Sequence, residues 1–167
     1  AATLQIKSIR NQTKLDYGYD ENSLYAARLA LMEGPYPTEE SRREFFKSAV
    51  RTLRTNPQFD AAAMTDRFRM TFAPAGQYEV DGQKYLTDRD RPRCNYESVS
   101  DGYFATLGLK FREGRDFTLD DSDAKQPVAI VNASFARKYW GNQSALGHQV
   151  RIFNPGKEQP WRTIVGV

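Results

Sequence analysis

Residues 127–140 read Pro-Val-Ala-Ile-Val-Asn-Ala-Ser-Phe-Ala-Arg-Lys-Tyr-Trp and contain the clearest strand-to-helix transition in the chain. The apolar run 128–131 predicts a buried strand. Asn132 follows it directly, and asparagine is a preferred helix N-cap. Phe135 and Tyr139 are four residues apart, so they share the helix face that packs back onto the strand. The segment therefore predicts one strand and one packed helix, which ends at Gly141.

The residues that follow predict a final pair of strands. Val150 and Ile152 alternate with polar residues, and a turn at 154–156 leads into the apolar segment 161–167. Before the opening segment, Asp81-Gly82 lies between residues 78–80 and 83–85. This dipeptide supplies the positive φ angles of a two-residue hairpin, so these two runs are predicted to pair with each other.

Two short helices and two strands are predicted in the rest of the chain. Ser100 follows a predicted strand over 95–99, and we expect it to cap a helix over 101–107 that Gly108 closes. In residues 24–32 the apolar residues alternate, which predicts a strand, although the alanine-rich composition also suits a helix. Residues 3–14 are predicted to be a short helix.

A longer helix is predicted from Thr38, a capping residue, to about Arg54, and Asn56-Pro57 would end it. The resulting order of elements, βαβ and then β-α-β-β, predicts a mixed α/β fold.

Composition narrows the class of protein. The chain has 167 residues, 40% of them hydrophobic and 13% aromatic, which is enough for one ordinary domain or two small ones. Its apolar runs are only a handful of residues long, whereas a membrane span needs about 20. Its formal net charge is +3. The densest basic stretch lies within the predicted helix: Arg42, Arg43, Lys47, Arg51 and Arg54. We interpret this stretch as a solvated helix face, and the alternative is a polyanion site.

The residues that most often carry catalysis or hold metals are scarce. Cys94 and His148 are the single cysteine and the single histidine, which excludes an intrachain disulfide and a Cys–His zinc cluster. His148 follows Gly147 at the start of a predicted strand, and no G-x-S-x-G elbow accompanies it. The acidic stretch 120–123 lacks the glycine and glutamate of an EF-hand loop. The sequence has neither a dinucleotide nor a P-loop glycine motif. We therefore predict no catalytic, cofactor-binding or metal-binding residues.

A set of motifs in the second half is similar to a known family. The motifs read Val-Ser-Asp-Gly-Tyr-Phe-Ala-Thr-Leu-Gly at 99–108, Gly-Arg-Asp-Phe at 114–117, the segment 127–140, Ala-Leu-Gly-His-Gln-Val at 145–150 and Thr-Ile-Val-Gly-Val at 163–167. In this order and spacing they resemble the periplasmic core domain of MacB-like ABC transporter permeases, a family that includes FtsX-like permeases. The likeness covers about residues 95–167 well and the first half more loosely. Physically the motifs are caps, turns and packing residues, so they predict a shape.

The resemblance implies a domain on the periplasmic face of the bacterial inner membrane, inserted between two membrane helices of a permease. It implies a porter-like part, residues 1–113, whose residues 3–14 extend the first membrane helix. It also implies a smaller inserted Sabre-like part, residues 114–167, with the last porter strands beyond the segment. The implied partners are the permease's own membrane helices, a cytoplasmic ATPase domain, a second permease copy and, in some relatives, a periplasmic adaptor.

The resemblance further implies that the domain transmits ATP-driven helix motion to a periplasmic substrate or partner, in efflux or mechanotransmission. It would not be an enzyme, because ATP hydrolysis would take place in the separate cytoplasmic domain, and it would not bind nucleic acid. The alternative is a soluble ligand- or polyanion-binding α/β module without membrane linkage. A further alternative is an enzyme that uses the carboxylates and His148, and a pocket with a strongly perturbed carboxylate beside His148 would favour it.

Overall fold

The computed structural model describes residues 18–20, 23–31, 34–66, 75–123 and 127–167. These ranges contain four α-helices, a 3-10 helix at Asp88–Asp90 and five strands. The helices are α1 (Glu39–Thr55), α2 (Tyr103–Thr106), α3 (Leu119–Asp123) and α4 (Ala133–Trp140). The strands are β1 (Ala75–Val80), β2 (Arg93–Asn95), β3 (Val128–Ile130), β4 (Gln149–Phe153) and β5 (Arg162–Gly166). The predicted mixed α/β class is confirmed.

The five strands form one sheet in the order β2-β1-β4-β5-β3. All neighbours are antiparallel except β3 and β5, which are parallel and joined through a register shift at Ala129/Ile130. The sheet takes β1 and β2 from one side of residue 113 and the other three strands from the other side. The division of the chain at 113/114 stays a prediction.

The strand-to-helix transition at 127–140 is confirmed. Asn132 adopts an extended backbone, and its Oδ1 accepts a hydrogen bond from the Phe135 amide at 2.8 Å, which caps α4. The helix then places Ala136 against Ile164 of β5 and against Ala145. Ile164 is 1% exposed, so this contact is the centre of the core.

Helix α1 begins and ends as predicted. Thr38 and Ser41 form a reciprocal capping box at its start, and Asn56 ends it with an extended backbone. Val50 is its buried residue. Within the described ranges, no helix combines the length and the apolarity that crossing a bilayer requires.

The strand predicted over 24–32 is wrong for the residues that can be judged. Residues 24–31 are irregular and pair with no other described strand, and Tyr25 and Leu29 are 94% and 54% exposed. Alternation of apolar residues makes a strand only where a neighbouring strand receives its backbone hydrogen bonds. Met32 and the helix predicted over 3–14 lie outside the described residues.

The hairpin predicted around Asp81-Gly82 is half right. The turn forms, with Gly82 at φ 74° and the Gln83 amide donating to the Val80 carbonyl at 3.2 Å. Residues 83–85 form no strand, because β1 is already paired with β2 on one edge and with β4 on the other. A strand has only two edges, so a nearby partner can be displaced by distant ones.

The short helix after residue 100 is also a correction. Helix α2 spans only Tyr103–Thr106, and its N-cap is Gly102 at φ 70°. Ser100 does not cap it, because the Ser100 hydroxyl accepts the amide of Met64 at 2.9 Å. The strand predicted over 95–99 overlaps β2 only at Asn95, while Gly108 follows the helix with φ 67°, as predicted.

Candidate functional site

The densest polar cluster lies on the face of the sheet opposite α4. Its centre is Glu79 of β1, which is 5% exposed and stands directly opposite Arg151 of β4. The Arg151 Nε–H donates to one carboxylate oxygen. Arg91, from the loop before β2, donates its Nε–H to the other at 2.6 Å. One buried carboxylate thus holds two guanidinium groups.

Two opposing influences act on the pKa of Glu79. Burial acts to raise it, because a desolvated carboxylate favours the protonated form. The hydrogen bonds and the positive charges of Arg91 and Arg151 act in the other direction and prevail. The pKa of Glu79 therefore lies below its usual range, and the cluster is charged at neutral pH.

Aromatic rings support both arginines. The guanidinium carbon of Arg91 lies 3.8 Å from the ring centroid of Phe153, and that of Arg151 lies 4.5 Å from the centroid of Trp161. Arg91 also donates to Asp88 at 2.8 Å. Since the two side chains are only 15% and 24% exposed, most of their donor capacity is used inside the molecule. We call these five residues, Glu79, Arg91, Arg151, Phe153 and Trp161, the arginine clamp.

The opposite face of the sheet is aromatic. Tyr78 of β1 packs against Phe135 and Tyr139 of α4, with ring centroids 5.2 and 6.1 Å away. The Tyr78 and Tyr139 hydroxyl oxygens are 2.7 Å apart. Burial and this hydrogen bond raise the pKa of Tyr78 far above its usual range. The arrangement stabilises the contact between helix and sheet.

His148 lies at the end of this aromatic layer. Its ring stacks on Trp140 with centroids 4.8 Å apart, and its Nδ1 is 3.4 Å from Oδ2 of Asp81. The carboxyl groups whose pKa is perturbed are Glu79 and Asp121, and each is paired with arginine. The carboxylate that lies beside His148 is that of Asp81.

Cys94 lies in β2 and is half-buried. Burial raises the pKa of its thiol, because the thiolate is poorly solvated there. Its environment therefore favours the unreactive protonated form.

Four of the five basic residues of α1 have local partners. Arg42 donates to the carbonyls of Tyr36 and Pro37, at 2.9 and 3.2 Å. Arg43 and Lys47 pair with glutamates three residues before them on the helix. Arg54 binds Asp101 at 2.7 Å. This pairing is typical of a solvated helix face.

The acidic stretch 120–123 lies in α3. Asp121 accepts two hydrogen bonds from Arg115, at 2.6 and 2.8 Å, and also bonds to Thr118. These contacts hold its pKa well below the usual range, with the Arg115 hydrogen bonds contributing most. In the parts of the chain that the structure describes, no three His, Cys, Asp or Glu side chains are grouped to hold a metal ion.

Two open depressions mark the described surface. One, of about 550 Å³, lies between residues 18–20, 23 and 24 on one side and residues 105–108 on the other. The other, of about 300 Å³, lies beside the end of α4 and is lined by Arg112, Glu113 and Arg137 among others. The arginine clamp and His148 line neither depression.

Sequence reasoning missed the arginine clamp. The available signal was the alternation in β4, where Arg151 stands between Val150 and Ile152 and therefore points to the other face. That pattern places Arg151 on the outer face without naming Glu79 as its partner, because the partner is 72 residues away.

Comparison with known proteins identifies the family. The family model of the MacB-like periplasmic core domain matches residues 13–167. The macrolide export ATP-binding/permease protein MacB of Aggregatibacter actinomycetemcomitans is 33% identical over 85 residues, which are 51% of this chain and 12% of that protein. The chain thus matches a small part of that relative's length.

A solved structure has a similar fold. The periplasmic region of MacB from Actinobacillus actinomycetemcomitans matches with a TM-score of 0.51 and 20% sequence identity, over 72% of this chain and 49% of that one. At this identity the likeness concerns the fold. Together with the family model, which covers nearly the whole sequence, it leads to one conclusion: this chain belongs to the family of MacB-like periplasmic core domains.

Proposed function

We propose that this domain is the extracytoplasmic part of an ABC transporter permease and acts as a lever and docking surface. In this role it receives the movement of membrane helices and passes it to a periplasmic substrate or partner. The observation that carries the proposal is the match of residues 13–167 to the MacB-like periplasmic core domain. The described structure supports it, because the residues of the arginine clamp bind one another and so hold strands of the sheet together.

ATP hydrolysis and assembly depend on other parts of the transporter. ATP hydrolysis belongs to a cytoplasmic domain, and this domain has no catalytic role. The parent permease is anchored in the inner membrane and works as a dimer, with a periplasmic adaptor as a further partner. The porter-like part is residues 1–113 and the Sabre-like part is residues 114–167. Because both parts contribute strands to one sheet, the division separates chain segments that move together.

Cysteine labelling of the full-length protein tests the location. Leu86 is 95% exposed, so Leu86→Cys in a Cys94→Ser background presents one accessible thiol. A membrane-impermeant maleimide is expected to label this variant equally in intact and lysed cells, while the Cys94→Ser protein without Leu86→Cys gives the background. Labelling that requires lysis would contradict a periplasmic domain.

The full reading frame and an export assay test the rest. We expect one membrane span before residue 1 and about three after residue 167. The purified full-length protein is expected to hydrolyse ATP, and its export activity should stop when this domain is deleted. A reading frame without spans would favour the soluble ligand-binding module instead.

A further inference from the structure

Residues 112–115 lie beside the end of β5, in the strand position that β4 leaves free. Within the sheet, the Ile164 amide donates to the His148 carbonyl at 2.8 Å. Beyond that point the partner changes, because the Arg115 amide donates to the Val165 carbonyl at 2.9 Å and the Val167 amide to the Glu113 carbonyl at 3.0 Å. The segment that leaves α2 is thus bonded into the sheet.

Two glycines meet where this segment pairs antiparallel with the end of β5, and we call this pairing the Gly114–Gly166 crossing. Gly114 has φ 79°, and a Cβ atom added to it would stand 2.1 Å from the Val165 carbonyl oxygen. A Cβ on Gly166 would stand 2.4 Å from the Arg115 carbonyl oxygen. Backbone atoms fill both positions, so no side chain longer than hydrogen fits without separating the two segments.

Side chains hold the crossing on both sides. The Glu113 carboxylate accepts the Ser144 hydroxyl at 2.7 Å and the Ala145 amide at 3.2 Å, which ties the segment to the loop after α4. On the other side, Phe111 packs edge-on against Phe104 of α2, with ring centroids 5.4 Å apart. The crossing therefore joins α2, the loop after α4 and β5.

We propose that the Gly114–Gly166 crossing is a rigid joint that passes displacement from the α2 side of the chain to the sheet. This inference rests on the proposed function, because it names the element through which a lever domain would transmit motion. A glycine at a predicted boundary usually indicates freedom of rotation. Here both glycines serve close packing, and the segment that leaves α2 is fixed to β5 by backbone bonds, so movement of α2 moves β5.

Three alanine variants separate the contributions of packing and backbone strain. Gly166→Ala tests packing alone, because Gly166 lacks a positive φ angle. Gly108→Ala is the matched control, since Gly108 has φ 67° and nothing within 4 Å of the added Cβ. Gly114→Ala combines both effects. Hydrogen exchange of the Arg112, Arg115 and Val167 amides in the full chain measures the opening of the joint.

We expect Gly166→Ala to accelerate hydrogen exchange at these three amides at least 10-fold, while exchange in α1 stays unchanged. We expect Gly108→Ala to leave the three amides at the wild-type exchange rate. If Gly166→Ala does not fold, Glu113→Ala removes the side-chain ties alone and is expected to accelerate the same amides about 3- to 10-fold. Equal exchange in Gly166→Ala and Gly108→Ala would overturn the joint.

The full-length protein separates this inference from the proposed function. We expect Gly166→Ala to reduce export at least 5-fold while ATP hydrolysis stays within 2-fold of wild type. The reason is that the cytoplasmic domain would still hydrolyse ATP, but this domain would no longer move as one body. Normal export with an opened joint would remove the transmission role and leave the proposed function standing. A full-length protein that is not a membrane permease would remove both roles, and the exchange result would not depend on that outcome.

Discussion

The two faces of the sheet are built from the same strands but are held together by different forces. On the α4 face, Ile164 and Tyr78 bury apolar and aromatic surface against the helix. On the outer face, Glu79 is just as buried, yet its contacts are charged. Successive residues of one strand point to opposite faces, so Tyr78 and Glu79 lie in different environments although they are neighbours in sequence.

The two faces differ in how they respond to pH, to salt and to the loss of a charged partner. The α4 face depends on shape and on the area removed from water, which change little with pH or salt. The outer face depends on a buried charge balance, which fails when one partner is lost. The clamp ties β1, β4 and the loop before β2 to one carboxylate.

The largest effect is expected on the α4 face. Ile164→Ala removes a side chain that is 1% exposed in the contact with Ala136 and Ala145. The lost burial and the cavity should lower the free energy of unfolding by about 3–5 kcal/mol. Urea unfolding measures this. Ile164→Val, which removes one methylene group, serves as the control and should cost about 1 kcal/mol. A loss under about 1 kcal/mol for the alanine variant would place the core elsewhere.

The next largest effect is expected on the outer face. Glu79→Gln keeps the shape of the side chain but removes the buried carboxylate that Arg91 and Arg151 share, which leaves them only the exposed Asp88 and Glu158 as counter-charges. Breaking a buried pair costs about 3–5 kcal/mol, and because both arginines keep some exposure we expect about 2–3 kcal/mol. Glu158→Gln is the matched control, since Glu158 is 90% exposed and 3.6 Å from Arg151; it should cost under about 0.5 kcal/mol.

Glu79→Gln and Glu158→Gln also test whether the two faces differ as described. If Glu79→Gln and Glu158→Gln have equal effects in urea unfolding, the clamp is an ordinary surface ion pair and the two faces do not differ as described. If Glu79→Gln costs more than Ile164→Ala, the outer face is the main source of stability.

The sequence predicts those parts of each face whose contacting residues are close together in the sequence. Strand β3, the Asn132 cap and α4 are predicted correctly because their signals lie within 14 consecutive residues. The clamp joins residues 72 positions apart, and no local pattern specifies that pairing. The same reason explains the failed hairpin at Asp81-Gly82, where β2 and β4 displaced the nearer partner.

The strand that was wrongly predicted at 24–31 shows that a clear local pattern is not sufficient for a strand. Its alternation is as regular as that of β4, but within the described residues it has no neighbour to pair with. Gly108 closes a helix with φ 67°, as predicted. Gly114 and Gly166 are required by a backbone crossing, which sequence cannot distinguish from a turn.

Acid should weaken the outer face selectively. The folded-state pKa of Glu79 is lowered, so the unfolded state binds more protons as the pH falls. Its contribution is therefore present above the unfolded pKa of about 4.3 and is lost progressively below it. We expect the urea midpoint to fall between about pH 5 and pH 3, with Asp121 contributing in the same direction.

The comparison of variants makes the acid effect specific. The penalty of Glu79→Gln, measured against wild type, should shrink as the pH falls, because the wild-type carboxylate also becomes neutral. The penalty of Ile164→Ala should stay constant over the same range, because no charge is involved. A penalty of Glu79→Gln that does not change with pH would mean that its cost comes from shape and not from charge.

The smallest effect is expected from the hydroxyl pair that links α4 to the sheet. Tyr78→Phe keeps the ring contacts with Phe135 and Tyr139 and removes one partner of the 2.7 Å hydrogen bond. Because Tyr78 is 4% exposed, the Tyr139 hydroxyl loses a buried partner, and we expect a cost of about 1 kcal/mol in urea unfolding. Tyr139→Phe and the double variant complete a cycle that isolates the bond. Additive penalties would show that the two hydroxyls do not interact and that the α4 face is held by packing alone, which would sharpen its contrast with the clamp.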